Sequence, residues 1–514
     1  MKVLAWVLAG IVVLVAALFV PGRLRPLPSL EGRTVSTAFT DTAGTRLGSA
    51  VAAGIAAHPG TSGIYPLLEG RDAFAARLLL ARAAERSIDA QYYIWRNDLT
   101  GHLLFSALYD AAERGVRVRL LLDDNRTGGL DPLLAALDAH PNIEIRLFNP
   151  FTMRRLRLLQ YVTDFSRVNR RMHNKSFTVD NQVTIIGGRN VGDEYFDAAP
   201  LGELAFADLD VLAVGPVVGS VSEQFDEYWK SDSAYPADRL LAPVPGASAP
   251  ALLSSRPAEA EWLAAVRSSR LLEELLEGTL ELVWAPTRMI SDHPAKGLGL
   301  APPETHFPQV LVEALGPPQA ELDLVSPYLV PGTAGMDTFV SIATRGVRVR
   351  VLVNSLEATD VRAVHAGYAK RRHALLAAGV ELFEMPLLVR PGSRGHRLAG
   401  RFGSSASSLH AKTISVDRSR MFVGSFNLDQ RSANLNTELG FVIESEVLAA
   451  RLSEIFDEDV PEAAYRVHLA DDGRLYWTEQ HEGEVVRYDT EPGTTAWERG
   501  IVRAISWLPI DWLL

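Results

Sequence analysis

The sequence predicts an α/β fold in two pseudo-symmetric lobes, each a mixed or mostly parallel β-sheet flanked by helices. Two observations support this prediction. Segments of strand and helix periodicity alternate through most of the chain. Two patterns also occur twice, His-x-Lys-x4-Asp at 173–180 and 410–417, and Gly-Val-Arg-Val-Arg at 115–119 and 346–350. Two copies of this size indicate a duplicated domain, so we expect one active site where the lobes meet.

The first 22 residues are predicted to form a transmembrane anchor. Residues 3–20 are uncharged and almost wholly apolar, a length that just suffices to span a bilayer. A cleaved signal peptide is the alternative, but its apolar region is usually shorter and ends in a small-x-small site. Here the apolar run ends in Phe19, Val20 and Pro21. The flanking charges are too similar to predict the orientation of the span.

The first lobe is predicted over residues 61–240, after a linker at 23–60 that is rich in Pro, Gly, Ser, Thr and Ala. Helices and strands alternate in this lobe, as expected of α/β units. The predicted order is helix 71–86, strand 87–95, helix 101–114, strand 115–124, helix 130–140 and strand 143–148.

The second lobe is predicted over residues 311–456 and repeats this order. Its second strand is nearly a copy of the strand at 115–124. The predicted elements are strand 322–325, helix 336–345, strand 346–353, helix 363–378 and strand 380–383.

Two further regions lie outside the predicted lobes. Residues 241–310 are interpreted as an inter-lobe linker with one helix, at 258–277. Residues 457–514 are interpreted as a β-hairpin followed by a tail with three tryptophans at 497–514. Such a tail is typical either of a membrane interface or of a terminal helix docked on the core, and the sequence leaves both open.

Composition excludes several classes of function. The formal net charge of -11 argues against a general nucleic-acid binder, which is usually basic. The chain has no cysteine, which excludes disulfides, thiolate zinc sites and cysteine nucleophiles. The hydrophobic content of 47% is enough for a substantial core.

The duplicated motif combines residue types that suit chemistry at phosphorus. Side chains at positions i and i+2 of a strand share a face, so His173 and Lys175 point the same way. A histidine is a nucleophile or proton carrier near neutral pH. A neighbouring lysine supplies a fixed positive charge for phosphoryl oxygens. The same reasoning applies to His410 and Lys412.

The other repeated positions are interpreted as supports and ligand contacts. The two motif aspartates have the opposite strand parity and lie in turn-like contexts, so they fix the turn or hold a cation. The small residues after each motif leave room for a ligand beside the backbone, and the asparagines donate hydrogen bonds to oxygen. We therefore predict His173, Lys175, Asp180, His410, Lys412 and Asp417 as catalytic-site residues and Gly187, Asn190, Ser425 and Asn427 as phosphate-binding residues.

The paired motifs, each followed by Gly-Gly-x-Asn or Gly-Ser-x-Asn, resemble those of the phospholipase D superfamily. More narrowly, the chain is similar to bacterial cardiolipin synthases, and most of all to their C type. Together with the N-terminal span, this resemblance implies a protein of the bacterial inner membrane. The resemblance covers residue 60 to the end, and the segments that carry it are 89–95, 120–125, 164–177, 365–368, 424–438 and 508–514.

The resemblance implies a two-step mechanism without a metal or cofactor. One histidine attacks phosphorus and becomes a phosphohistidine, and the other protonates the departing alcohol. By analogy, His173 is the nucleophile and His410 the acid and base. The motif lysines and asparagines would hold the phosphoryl oxygens. The family pattern also places a carboxylate behind each histidine, which matches Asp208 and Glu438; a solvated loop acid is the alternative for Asp208.

The resemblance also implies the substrates. Phosphatidylglycerol would be the acceptor alcohol, and phosphatidylethanolamine or a second phosphatidylglycerol the phosphatidyl donor. The expected partners are therefore phospholipids and the membrane, without nucleic acid, and the sequence identifies no helper protein. The arginine runs at 154–157 and 167–171 either attract anionic headgroups or pair with internal acids. His365 and Tyr368 match a family pattern and are candidate substrate contacts.

Three other functions remain open at this point. A lipid hydrolase would use the same residues with water as the acceptor. A nuclease of the same superfamily is disfavoured by the apolar N-terminus and the acidic net charge. A membrane-anchored scaffold with a dead site is disfavoured because both motifs are intact.

Overall fold

The computed structural model describes residues 26–199, 205–253, 260–387, 407–481 and 483–514. The anchor predicted at residues 1–22 lies outside these ranges. None of the helices within the described ranges has both the length and the apolarity needed to cross a bilayer.

The first lobe contains a nine-stranded sheet. Its longer helices are Arg46–Ala57, Gly70–Ala83, Leu99–Glu113, Asp131–Asp138 and Pro216–Trp229, with shorter ones at Arg157–Thr163 and Phe165–Val168. The strands are β1 (Ser62–Leu67), β2 (Ser87–Tyr92), β3 (Arg117–Asp123), β4 (Ile143–Phe148), β5 (Ser176–Val179), β6 (Val183–Gly187), β8 (Asp210–Val214), β9 (Ala234–Pro236) and β10 (Val283–Ala285), and β7 (Ala205–Ala207) lies apart from this sheet.

The second lobe contains a ten-stranded sheet. Its helices include Phe307–Leu315, Thr333–Thr344, Arg362–Ala369, Arg372–Ala377, Gln430–Asn434, Glu446–Glu454 and Ala496–Ser506. The strands are β11 (Thr287–Ser291), β12 (Glu321–Val325), β13 (Arg348–Asn354), β14 (Glu381–Met385), β16 (Thr413–Val416), β17 (Arg420–Gly424), β18 (Leu439–Glu444), β19 (Tyr465–Leu469), β20 (Leu475–His481) and β21 (Glu484–Tyr488), and β15 (Ser407–Leu409) lies apart.

The two sheets share one strand order. The order β1-β8-β6-β5-β2-β3-β4-β9 in the first lobe corresponds to β11-β18-β17-β16-β12-β13-β14-β19 in the second. Within each sheet only β2–β3–β4 and β12–β13–β14 pair in parallel. The sheets are therefore mixed, which confirms the first of the two predicted alternatives and not the mostly parallel one. Each motif strand instead forms an antiparallel hairpin with the strand after it.

The repeated Gly-Val-Arg-Val-Arg pattern has a structural role. Its second arginine lies on a buried strand position and pairs with an aspartate of the neighbouring parallel strand. Arg119 Nε lies 2.7 Å from Asp89 Oδ1, and Arg350 Nε lies 2.6 Å from Asp323 Oδ1. Each buried guanidinium is thus neutralised where it enters the core, which fixes the register of β2 on β3 and of β12 on β13.

The segments interpreted as linkers are packed parts of the lobes. Arg33 donates to the carbonyl of Ser231 at 2.7 Å, and the helix Arg46–Ala57 buries Leu47 and Val51 in the first core. The inter-lobe segment contributes β10 to the first sheet and β11 to the second. The single helix predicted at 258–277 is two helices, Ala260–Arg267 and Leu271–Glu277.

An apolar cluster joins the lobes. Ile186 and Val211 from the first sheet pack in one buried group with Val423 and Phe441 from the second. Packing of this kind stabilises the interface and brings the two motif strands together.

Candidate active site

Both motif histidines immediately precede a buried strand. His173 and Lys175 lie directly before β5, and His410 and Lys412 lie directly before β16. All four side chains are buried. His173 bonds to Glu438 of the second lobe and His410 to Asp208 of the first, so the two motifs meet at the lobe interface.

Each histidine is held by the opposite lobe. The amide of His173 donates to the carbonyl of Thr437 at 2.9 Å, and that of His410 donates to Ala207 at 2.7 Å. His173 Nδ1 lies 2.8 Å from Glu438 Oε2, and His410 Nδ1 lies 2.6 Å from Asp208 Oδ2. With Nδ1 bonded to a carboxylate, Nε2 of each ring is left for the reaction. The site is complete only when both lobes are in place.

The two carboxylates are supported differently. Asp208 accepts from the amide of Leu209 at 2.8 Å, and its side chain fills the space beside Gly188, where a Cβ would lie 2.1 Å from Asp208 Oδ1. Glu438 accepts a short hydrogen bond from the hydroxyl of Ser425, which itself accepts from the amide of Leu439 at 3.0 Å. Glycine and serine at these positions therefore let the carboxylates reach the histidines.

These surroundings give the carboxylates opposite pKa shifts. Burial acts to raise the pKa of Asp208, but the charge of His410, followed by Lys412, brings it down to about 2. Burial raises the pKa of Glu438 to about 7, against the opposing charge of Lys175. Asp208 is therefore ionised at neutral pH, whereas Glu438 holds a proton for part of the time.

The histidines differ in the same sense. Burial, followed by the charge of Lys175, lowers the pKa of His173 well below its ordinary value. Burial and Lys412 also lower the pKa of His410, but the charge of Asp208 opposes this change. His173 is therefore the neutral ring, and His410 has the ionised partner that stabilises an imidazolium.

The lysines bring two ammonium groups into the same buried space. Lys175 Nζ donates to the carbonyl of His173 at 2.5 Å, and Lys412 Nζ donates to the carbonyl of His410. Burial lowers the pKa of Lys175 to about 7 and also lowers that of Lys412. A bound anion would offset this desolvation, so the arrangement suits a phosphoryl group.

Aromatic rings wall the histidines. Tyr93 meets His173 edge to face at 4.9 Å between ring centroids, and Tyr195 meets His410 in the same way at 5.2 Å. Phe206 packs on His410 at 5.0 Å. These contacts restrict each ring to one orientation.

The comparisons with known proteins agree with this geometry. A family model described as "Cardiolipin synthase, PLD-like domain" matches residues 79–229 and 311–460, one match in each lobe. The chain belongs to this family. "Cardiolipin synthase C" of Escherichia coli K12 is 49% identical over 91% of this chain and 100% of that protein. "Cardiolipin synthase A" of Pseudomonas aeruginosa UCBPP-PA14 is 28% identical over 77% of this chain and 66% of that protein.

A solved structure shows the same two-lobed fold. The phosphatidylserine synthase of Haemophilus influenzae Rd KW20 superposes with a TM-score of 0.57 at 14% identity, covering 88% of this chain and 95% of that one. The cardiolipin synthase family and the phospholipase D-like lobes expected from the motifs are thus confirmed.

The two asparagines predicted to bind phosphate differ in their hydrogen-bond partners. Asn190 accepts from the amide of Ile94 at 3.1 Å and donates to the hydroxyl of Tyr195 at 3.0 Å, so it positions the aromatic wall. Asn427 Oδ1 has no hydrogen-bond partner within the described residues. That oxygen can accept a hydrogen bond from a ligand, whereas contact with phosphoryl oxygens would have to be made by Nδ2 of Asn427.

Four predicted site residues make contacts within the protein. Asp180 accepts from the amides of Arg86 and Ser87 at 2.8 and 2.9 Å, and Asp417 accepts from those of residues 319–321. Both lie at the opposite end of the motif strand from the histidine, and their backbone hydrogen bonds agree with the interpretation that they fix the turn; a catalytic role for them stays a prediction. The space at Gly187 is filled by Asp210 rather than by a ligand, because a Cβ there would lie 2.2 Å from Asp210 Oδ1. The Ser425 hydroxyl holds Glu438, as described above.

The arginine runs mostly pair with internal acids. Arg154 Nε lies 2.9 Å from Asp131, and Arg171 NH1 lies 3.4 Å from Asp123. Arg155 is the exposed member of the first run. The expectation that these runs attract headgroups is therefore limited to Arg155.

His365 and Tyr368 belong to a buried network away from the histidine pair. His365 Nε2 lies 3.0 Å from Glu491, and the hydroxyl of Tyr368 donates to Glu384 at 3.0 Å. Arg372 NH1 donates to Glu491 at 2.6 Å. This network attaches the C-terminal region to the second lobe, and substrate contact by the two residues stays a prediction.

Sequence reasoning missed a buried ion pair behind Glu438. Lys296 Nζ lies 2.9 Å from Asp292 Oδ2, and the same oxygen accepts from the amide of Glu438 at 2.9 Å. Burial raises the pKa of Asp292 to about 7. The pair lies in the segment interpreted as a linker. Lysine is scarce in this sequence, and that scarcity was a signal that could have drawn attention to Lys296.

Proposed function

We propose that the chain is a phosphatidyltransferase that makes cardiolipin from phosphatidylglycerol and a phosphatidyl donor, either phosphatidylethanolamine or a second phosphatidylglycerol. The observation that carries this proposal is the pair of buried histidines, each bonded through Nδ1 to a carboxylate of the other lobe and flanked by two lysines. The name printed for the relative at 49% identity supports the same activity.

In the first step His173 Nε2 attacks the phosphorus of the donor. A bond from nitrogen to phosphorus forms while the bond from phosphorus to the headgroup oxygen breaks, and protonated His410 gives its proton to that oxygen. Asp208, ionised and 2.6 Å from His410, stabilises the imidazolium before transfer. The low pKa of His173 keeps its attacking nitrogen unprotonated.

In the second step the intermediate passes to the acceptor. A glycerol hydroxyl of phosphatidylglycerol gives its proton to His410 while its oxygen attacks phosphorus, and the bond to His173 breaks. Lys175, Lys412 and Asn427 would hold the non-bridging oxygens in both steps. The burial of all these groups limits the access of water, which would otherwise release phosphatidic acid.

We further propose that residues 1–22 anchor the chain in the inner membrane, with both lobes outside the bilayer on one side. The phospholipid substrates would then come from the membrane that holds the anchor. Nucleic acid would not be a partner of this protein.

A lipid product assay tests this function. The full-length protein in detergent receives labelled phosphatidylglycerol, with and without phosphatidylethanolamine, and His173→Ala serves as the control. Labelled cardiolipin from the unmodified chain alone is the expected result, and its dependence on phosphatidylethanolamine identifies the donor. Phosphatidic acid as the only product would mean that water is the acceptor and would replace the synthase by a hydrolase.

A further inference from the structure

The helix Ala496–Ser506 has one face that carries tryptophan and is exposed to solvent. Trp497 is 76% exposed and Trp507, at its C-cap, is 81% exposed. Ala504 shares this face at helical spacing, and Val502 on the opposite face is buried against the second lobe. The helix therefore packs on the second lobe through Val502 and Ile505 and leaves its two large tryptophan side chains in solvent.

A segment of the first lobe extends the same apolar surface. Leu158 is 84% exposed, and Leu156, Val162 and Phe165 are also exposed. Phe165 meets Trp512 edge to face at 6.2 Å between ring centroids. Segments 156–165 and 497–512 therefore meet, and we call them together the tryptophan surface.

The tryptophan surface lies beside the loops of the active site. The amide of Arg431 donates to the carbonyl of Leu514 at 2.7 Å, and its guanidinium donates to Asn169 Oδ1 at 2.9 Å. Asn169 is four residues before His173, and Arg431 lies between Asn427 and Glu438 in the chain. The C-terminal residues thus rest on the two loops that carry the site.

The acidic side chains of this surface are paired, whereas exposed arginines in it and next to it are not. Its carboxylates are paired: Asp164 with Arg167 at 2.7 Å, and Asp511 with Lys370 at 2.7 Å. Glu498 is paired with an arginine in the same way. Arg155 and Arg503 are exposed and have no ion pair among the described residues. Tryptophan, leucine and unpaired arginine at one surface suit the headgroup region of an anionic bilayer.

We propose that the tryptophan surface docks on an anionic phospholipid bilayer, with its aromatic rings at the level of the headgroups. Docking places the site loops against the membrane, so that a lipid reaches the buried histidines without its acyl chains crossing water. The part of this inference that concerns substrate access rests on the proposed function.

Site-specific labelling tests the docking directly, because the chain has no native cysteine. Trp507→Cys and Leu158→Cys each carry an environment-sensitive fluorophore on the full-length protein. Val312→Cys and Val447→Cys are matched controls, at exposed apolar positions (61% and 66%) on helices that neighbour the ends of β17 and β18 far from the histidines. The proteins are reconstituted in vesicles of phosphatidylcholine and phosphatidylglycerol with and without nitroxide-labelled lipid.

Nitroxide quenching at 507 and 158, with little at 312 and 447, is the expected result. Equal quenching at all four positions, or at none, would overturn the proposal. Shielding of 507 and 158 in detergent without bilayer, together with cross-linking between chains, would assign the surface to a second copy and also overturn it. The readout does not use turnover, so quenching without cardiolipin synthesis would overturn only the proposed function.

A double variant, Trp497→Ser with Trp507→Ser, links the surface to activity. Both side chains are exposed, so the fold is retained. Turnover of lipid in vesicles should fall by about tenfold or more, because two interfacial anchors are lost. Turnover of the same lipids in detergent micelles should stay within about twofold of the unmodified chain, since the chemistry is unchanged. Equal activity on vesicles, or an equal loss in both settings, would contradict the proposal.

Discussion

Replacing Asp208 by asparagine should lower kcat by about 60-fold. The side chain keeps its shape, but His410 loses the ionised partner 2.6 Å from its Nδ1. The surroundings hold the pKa of Asp208 at about 2 instead of 3.8 even though burial opposes this. At 1.36 kcal/mol for each pKa unit, the difference is about 2.4 kcal/mol, or roughly 60-fold. The charge of His410 is the first of the contributions that lower this pKa, followed by those of Lys412 and Arg189.

The assay is the rate of labelled cardiolipin formation at saturating lipid, measured for the full-length protein from pH 5 to 9. Asp208→Asn removes a charge that raises the pKa of His410, so the alkaline limb of kcat should also move to lower pH. Glu438→Gln is the matched control, because Glu438 already holds a proton for part of the time near pH 7. The kcat of Glu438→Gln should fall by about tenfold or less. Equal losses in the two variants, or an alkaline limb that does not move, would refute the assignment of His410 as the acid.

Three further predictions concern stability. Asp180→Ala should lower the free energy of unfolding by about 2 kcal/mol, because the backbone amide of Ser87 at the start of β2 loses its acceptor. The kcat for each folded molecule should stay within about twofold of that of the unmodified chain. A loss of kcat without a loss of stability would support a catalytic role for Asp180. Arg77→Met should lower the free energy of unfolding by about 3 kcal/mol or more, because it leaves buried Asp210 without its 2.7 Å partner. The matched surface variant Arg46→Met should lower it by less than about 1 kcal/mol. Equal shifts in the thermal midpoint of the two variants would contradict this prediction. The pKa of Glu438 is raised to about 7 from 4.5, so this group contributes stability that is present below about pH 4.5 and lost as the pH rises through 7. Glu438→Gln should therefore flatten the fall of the thermal midpoint between pH 5 and 7. An unchanged slope of the thermal midpoint with pH would contradict this prediction.

The histidines and lysines of the proposed site could be singled out because their chemistry and spacing repeat in the sequence. His173 and Lys175, with their partners in the second motif, lie together as the duplication implied. Asp208 and Glu438 were predicted only through the family pattern, since each reaches a histidine of the other lobe across more than 200 positions. The local spacing of residues in the sequence does not predict a contact between positions so far apart.

The points that the sequence left open have physical causes. Spacing alone placed Asp180 in the same motif as His173, but a strand separates its two ends, and the aspartate lies where β5 meets the start of β2. Strand periodicity is the same for parallel and antiparallel neighbours, so the sequence did not distinguish a mixed sheet from a mostly parallel one. The small residue Gly187 signals close approach, but the sequence does not say that the approaching group is Asp210 rather than a ligand.

The central claim is that His173 carries the phosphatidyl group in a site built by both lobes. A phosphatidyl ester of 4-nitrophenol tests it in the His410→Asn variant, because nitrophenolate leaves without a proton whereas breakdown of the intermediate still needs a base. We expect a burst of about one nitrophenolate for each chain, and the lipid label on the peptide that contains His173. A label on another residue, or steady release without a burst, would contradict the account.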